Sequence, residues 1–247
     1  MTVVDTARAP RVSSVRATAQ WLLMMHLYLA MWAWGMAIVV VTLAIVVINT
    51  VGEVENSVLA FARQGAIWFP FSVFIAITAG YLPVHIAAGL TRRSLALGSI
   101  LAAVGTGVVY GLVYNGLLLV ERAVFGAMGW PWRVVEGMSP ETAEPLEIVA
   151  STTLTFVVAY LSGLLVGITY QRVGGWWGTL ALPLTAGPIL VASVLFAYDS
   201  GPLETSEWFG RDHAGLIAAG ACLLIAAALA FAFDRLTRGA DVPRRTT

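Results

Sequence analysis

Six long apolar stretches, joined by short polar connections, place this chain in a membrane. They run Trp21–Asn49, Ile67–Leu90, Leu95–Val120, Ile148–Tyr170, Trp176–Ala197 and His213–Phe233. Each reaches the roughly 20 residues that a helix needs to cross about 30 Å of hydrocarbon. Lipid offers the backbone no hydrogen-bond partners, so spans of this length must be helices. The expected fold is all-α: a multi-pass cell-membrane protein with six transmembrane helices and both termini cytoplasmic. Residues 1–20 form a cytoplasmic segment, 21–236 the membrane domain and 237–247 a cytoplasmic tail. With 59% hydrophobic and only 11% charged residues, no length is left for a folded soluble domain, where about a quarter of residues carry charge.

Orientation follows from the arginines. With the N-terminus inside, the inner segments carry Arg8, Arg11, Arg16, Arg92, Arg93, Arg172, Arg235, Arg238, Arg244 and Arg245. The outer ones carry Arg63, Arg122, Arg133 and Arg211, and basic residues near span ends favour the cytoplasm. Most acids, from Glu53 to Asp212, fall outside. The basic run before span one resembles a signal peptide, but the span is too long for one and ends without a small-residue cleavage site. Cys222 is the single cysteine, which excludes an internal disulfide or a cysteine metal cluster.

All fourteen basic residues are arginine. A phosphate-binding loop of the GK[ST] type needs lysine, as does a Schiff base. If ATP is used, another chain must bind it, together with its Mg. No metal site and no nucleic-acid partner is expected.

From Arg11 to Tyr28, Val12, Val15, Ala19, Leu22 and Leu23 recur near helical spacing among polar residues. This reads as an amphipathic helix on the cytoplasmic surface, with Trp21 at headgroup depth, the other reading being the ragged start of span one. In the long outer loop, Ser139–Pro140–Glu141 reads as a helix start. The loop Asp199–Asp212 reads as a solvated acidic face rather than a cation site. The span centres lack Asp, Glu and Arg, which argues against proton or ion relays. A haem held by His26 and His85 is geometrically open, since both lie toward the inner side, but nothing else in the chain supports it and packing histidines are the commoner case.

Gly107 and Gly111 in span three, and Gly163 and Gly167 in span four, have the spacing that lets helix backbones approach closely. Packing within the bundle is the favoured reading over a dimer interface. Thr78, Tyr110, Tyr114 and Asn115 are polar residues that line a pathway or bond to neighbouring helices, and Thr152, Thr153 and Thr155 are equally open. Pro183 and Pro188 predict a kinked span five, since each removes a backbone donor.

The turn between spans two and three reads GLTRRSLALG. Gly89, Thr91, Arg92, Arg93 and Ser94 resemble the "G-[VN]-T-R-[RK]" turn of bacterial type-2 ABC-transporter permeases. Six spans, cytoplasmic termini and an N-terminal surface helix are similar too, so the likeness covers most of the chain in layout and Gly89–Ser94 in sequence. The resemblance implies the permease subunit of an ATP-driven exporter, paired as a homodimer or with a related permease. It also implies that this turn meets a separate ATP-binding subunit. One departure is that the longest outer loop lies between spans three and four, where many such permeases have theirs between five and six. The alternative is a non-transporting accessory subunit or a small haem or quinone redox anchor. An intramembrane enzyme ranks lowest, because no nucleophile–base pair or metal-ligand cluster occurs in the spans.

Overall fold

The computed structural model describes residues 13–52, 56–133, 145–196 and 211–240. Among these residues the chain is all-helical; the one extended pairing is an isolated parallel bridge between Asn56 and Arg133. The helices are α1 (Ser14–Val51), α2 (Leu59–Ala87), α3 (Arg92–Met128), α4 (Pro145–Leu180), α5 (Leu182–Thr185), α6 (Gly187–Leu195) and α7 (Arg211–Arg238). Of these, α1, α2, α3, α4 and α7 are long and apolar enough to cross a membrane.

The centre of the bundle is α4. It packs against α2, α3 and α7, and residues 155–168 are buried on every side. An apolar helix in a membrane can face lipid or protein, and α4 is the one that the other helices enclose. Close approach is made by small residues. A Cβ added at Gly163 would lie 2.5 Å from the carbonyl oxygen of Phe71, and one at Gly167 would lie 2.6 Å from that of Ile75. On the opposite flank, a Cβ at Gly107 or Gly111 of α3 would collide with Val157 or Thr153 of α4. Both glycine pairs thus sit at interfaces of α4 within the bundle.

Two interior prolines leave α2 unbroken. Pro70 has no N–H to offer the carbonyl of Ala66, four residues earlier. The Tyr160 hydroxyl of α4 donates to that carbonyl instead, at 2.7 Å. A donor missing from one helix is therefore supplied by its neighbour.

Of the two readings of the N-terminal segment, the helix that runs unbroken into span one is the one observed. α1 is continuous for 38 residues, roughly 57 Å at 1.5 Å per residue. Its buried residues, Thr18, Leu22, His26 and Ala30, form a stripe at four-residue spacing that lies mainly along α3. Beyond Ala30 none is buried, and Met36, Val40, Leu43 and Val47 are exposed.

Span five differs most from expectation, being no single helix. Trp176–Leu180 continue α4 past Gly174, whose φ of 78° and ψ of 177° break the helical path. The chain then turns at Ala181 and proceeds through α5 and α6. Pro183 and Pro188 each open one of these short helices, where a missing N–H is tolerated. Two such starts five residues apart divide the segment instead of merely bending it.

Helix directions follow from contacts at the ends. Gly98 of α3 lies against Thr18 of α1, so these two helices start at the same end of the bundle. Arg172 of α4 donates to the Leu236 carbonyl of α7, while Gly215 of α7 lies against Glu147 of α4, so α4 and α7 run parallel. The expected helix start at Ser139–Glu141, the acidic loop up to Gly210, and Arg8, Arg11, Arg244 and Arg245 lie outside the described residues.

Candidate functional site

The α2–α3 turn is built almost entirely from capping interactions. Gly89 has φ +77°, the left-handed conformation that favours glycine. Its N–H reaches the Ile86 carbonyl at 2.9 Å and the Leu90 N–H reaches that of His85 at 3.2 Å, a Schellman closure of α2. Thr91 then caps α3, its hydroxyl oxygen accepting from the Ser94 N–H at 3.1 Å. The Ser94 hydroxyl donates back to the Thr91 carbonyl at 2.7 Å. His85 Nε2 lies 3.0 Å from the same hydroxyl oxygen. With the serine proton already committed, that nitrogen is the donor, and His85 ties the end of α2 to the start of α3.

This frame fixes Arg92 and Arg93 as the first two residues of α3, with Arg93 exposed. No acid shares that first turn. A helix start carries partial positive charge, so cations there are disfavoured, by about 0.3–1 kcal/mol each. Two arginines at this pole do not stabilise their own helix.

Further arginines gather at the same end. Arg92 donates to the Arg238 carbonyl at 3.4 Å and Arg172 to that of Leu236 at 3.0 Å, so both cap the last turn of α7. Arg16, Arg93, Arg172, Arg235 and Arg238 are exposed. Among the described side chains, Asp234 is the one carboxylate here, and it pairs with Arg238 at 2.9 Å. Trp21, stacked on Tyr81 at 4.8 Å, and the exposed Trp176 and Trp177 ring this end, as aromatic residues do at a membrane–water boundary. The result is a positively charged face around a rigid turn.

The other candidate polar residues lie inside. Thr78 donates to the Phe74 and Ile75 carbonyls of its own helix and stands against Gly167, so it is a packing residue. Asn115 donates to the Gly111 carbonyl at 2.7 Å and to the Thr152 hydroxyl at 2.6 Å, joining α3 to α4. Thr155 donates to the Ser151 carbonyl. Tyr110 and Tyr114 are buried in a chain of rings with Trp34, Phe156 and Tyr160, at centroid spacings of 5.5–6.5 Å. Neither hydroxyl has a hydrogen-bond partner among the described residues.

His26 and His85 do not meet. His26 stacks on Phe74 at 3.9 Å. Phe74 and His85 are eleven residues apart on α2, about 16 Å along the axis. One iron cannot span that distance. No group of three metal-ligating side chains occurs among the described residues either.

At the opposite end of the bundle, sequence reading missed a second cluster. Glu121 of α3 is buried and accepts from the Ser57 hydroxyl, from the Leu59 N–H at 2.9 Å and from Trp132 Nε1 at 3.2 Å. It caps the start of α2 by accepting the Leu59 N–H and the Ser57 hydroxyl, and an acid is the favourable residue at that pole. Ser57 N–H also donates to the Arg133 carbonyl at 2.7 Å. The carboxylate thus fastens two loops to two helices. Its one sequence signal was an acid at the edge of a span, with no indication of partners more than sixty residues away.

No family model, curated protein or solved structure matches the chain. The permease resemblance therefore rests on Gly89–Ser94 and the helical layout.

Proposed function

We propose that this chain is the membrane-spanning subunit of an ATP-driven exporter and that its arginine-rich end docks a separate ATP-binding subunit. The observation that carries the reading is the placement of Arg92 and Arg93. A turn closed by Gly89 and capped by Thr91 holds them rigidly at the helix pole that disfavours their charge. Arg92 also caps the last turn of α7 through the Arg238 carbonyl, and the exposed Arg93 beside it is the one we assign to a contact outside the chain. Arginine suits a protein contact, since its planar fork pairs bidentately with carboxylates. The partner's ATP and Mg would do the energetic work, and two permease copies, or this chain and a relative, would enclose the pathway.

Six crossings fit the helix directions. α4 and α7 run parallel, which supports a return of the chain between them on which α5 and α6 would lie. On this reading both described ends share a side, and the arginines favour the cytoplasm for it. The cell membrane is the expected location.

The test is a mild-detergent pull-down of the tagged chain, with mass spectrometry of what accompanies it. A stoichiometric ATP-binding subunit is expected, lost in Arg92→Glu/Arg93→Glu while thermal stability holds. An intact preparation without such a partner, or one that keeps it after charge reversal, would refute the docking assignment.

A further inference from the structure

Where α7 ends beside the last turn of α4, Arg235 and Arg172 stand along one seam of the bundle. The geometry points to a binding site here for the phosphate of an anionic glycerophospholipid, with Arg235 as its main ligand and Arg172 as the neighbouring one. This goes beyond the exporter reading and uses neither arginine of the α2–α3 turn.

The direction of the side chains separates these two arginines from Arg93. Side chains on a helix lean toward its N-terminus. Because α3 begins at this end, Arg93 leans away from the bundle into water, where a protein partner can reach it. The helical path of α4 breaks at Gly174 and α7 ends at Arg238, so Arg172 and Arg235 lean back toward the hydrocarbon. For Arg235 the guanidinium carbon lies 5.0 Å from the centre of the Phe231 ring, one turn further in. Residues 214–233 carry no charge and, at about 30 Å, match the thickness of the hydrocarbon layer. Phe231 belongs to that run and is 61% exposed, so its ring faces lipid. The guanidinium is thereby held at the hydrocarbon boundary, near the depth of lipid phosphates, rather than in the water beyond.

Its charge there is not balanced by the chain. Asp234 pairs with Arg238, and no carboxylate among the described side chains meets Arg235 or Arg172. Arg172 gives one donor to the Leu236 carbonyl, and its Nη1 lies 3.2 Å from where a Cβ at Gly239 would stand. Gly239 is four residues beyond Arg235, on the same face of α7. Two guanidinium groups therefore follow each other along the seam, each with N–H donors to spare. Such a fork pairs bidentately with a phosphate. The phosphate of phosphatidylcholine is already balanced by its own choline, whereas that of an anionic lipid is not. Toward the membrane centre, Leu224 and Phe231 are exposed at seven-residue spacing and give an acyl chain a track. Trp176 and Trp177, exposed one turn past Arg172, are the residues expected at headgroup depth.

The test releases full-length protein from nanodiscs of equal phosphatidylcholine and phosphatidylglycerol into a mass spectrometer and counts the lipid retained. Phosphatidylglycerol should be kept about ten-fold in preference, the scale of one charge-assisted hydrogen bond. Arg235→Gln should remove that preference while thermal stability holds, since the guanidinium makes no hydrogen bond among the described residues. Phe231→Leu keeps the charge but frees the guanidinium, and should weaken retention about three-fold. Arg16→Gln, an exposed arginine of α1 at the same end, should change nothing. Equal retention of the two lipids would overturn the proposal. So would an equal loss in Arg16→Gln and Arg235→Gln, which would mean general positive charge. Displacement of the lipid by millimolar inorganic phosphate would mean a soluble-anion site and overturn it too. None of these readouts involves an ATPase, so the exporter reading and this one fail separately.

Discussion

Removing the Tyr160 hydroxyl should destabilise the bundle in proportion to what Pro70 has taken from α2. Tyr160→Phe keeps the ring among Phe74, Phe156 and Tyr110 and deletes only the donor to the Ala66 carbonyl. A buried carbonyl left without a partner costs about 1–3 kcal/mol, or roughly 5- to 150-fold in the unfolding equilibrium. Pro70→Ala returns a backbone N–H within reach of the same carbonyl. In that background Tyr160→Phe removes a second, redundant bond and should cost less than about 1 kcal/mol. The double-mutant cycle therefore predicts a coupling energy of about 1–2 kcal/mol. Unfolding in mixed micelles, followed by the fluorescence of the nine tryptophans, measures all four corners. Equal costs of Tyr160→Phe with proline and with alanine at residue 70 would refute the claim that one helix supplies the other's missing donor.

Three further outcomes follow from the same geometry. Gly163→Ala should destabilise by about 1–3 kcal/mol through overpacking against the Phe71 carbonyl, whereas Gly65→Ala, with open space at its Cβ, should stabilise by up to about 1 kcal/mol; micellar unfolding of the pair checks the opposite signs. Glu121→Ala strands the Leu59 N–H, the Ser57 hydroxyl and the Trp132 indole, and should cost about 2–4 kcal/mol, with Glu121→Gln milder because it keeps an acceptor; thermal unfolding ranks the two. Gly89→Ala forces a Cβ into the left-handed region and should cost about 1–2 kcal/mol, with Gly89→Asn intermediate; a comparison of melting temperatures in detergent decides.

What could be read from the sequence was what is local or carried by composition. Apolar length identified the membrane helices because hydrocarbon thickness sets a hard requirement. The GLTRRS turn was legible because Gly89 and Thr91 act within a few residues of themselves. The spacing of Gly163 and Gly167 marked close helix approach, although the partner helix could not be known. Features that needed distant partners stayed hidden. Nothing near Pro70 points to a tyrosine ninety residues on, and nothing near Glu121 points to Ser57 or Trp132. The fate of span five was also out of reach: prolines signal a bend, but whether a helix bends or divides depends on what packs beside it. The same holds for His26 and His85, whose distance is set by how α1 lies along the bundle.

The central place of α4 has a consequence for how the protein is made. Helices enter a membrane in the order of synthesis, and α4 follows three others. Until it arrives, the carbonyls of Phe71 and Ala66 and the glycine notches of α3 face lipid or each other, with no surface shaped to receive them. In the finished bundle it is α4 that fills these notches, joining α2 and α3 to α7. A chain that ends before Pro145 should therefore leave α2 and α3 without the helix they pack against.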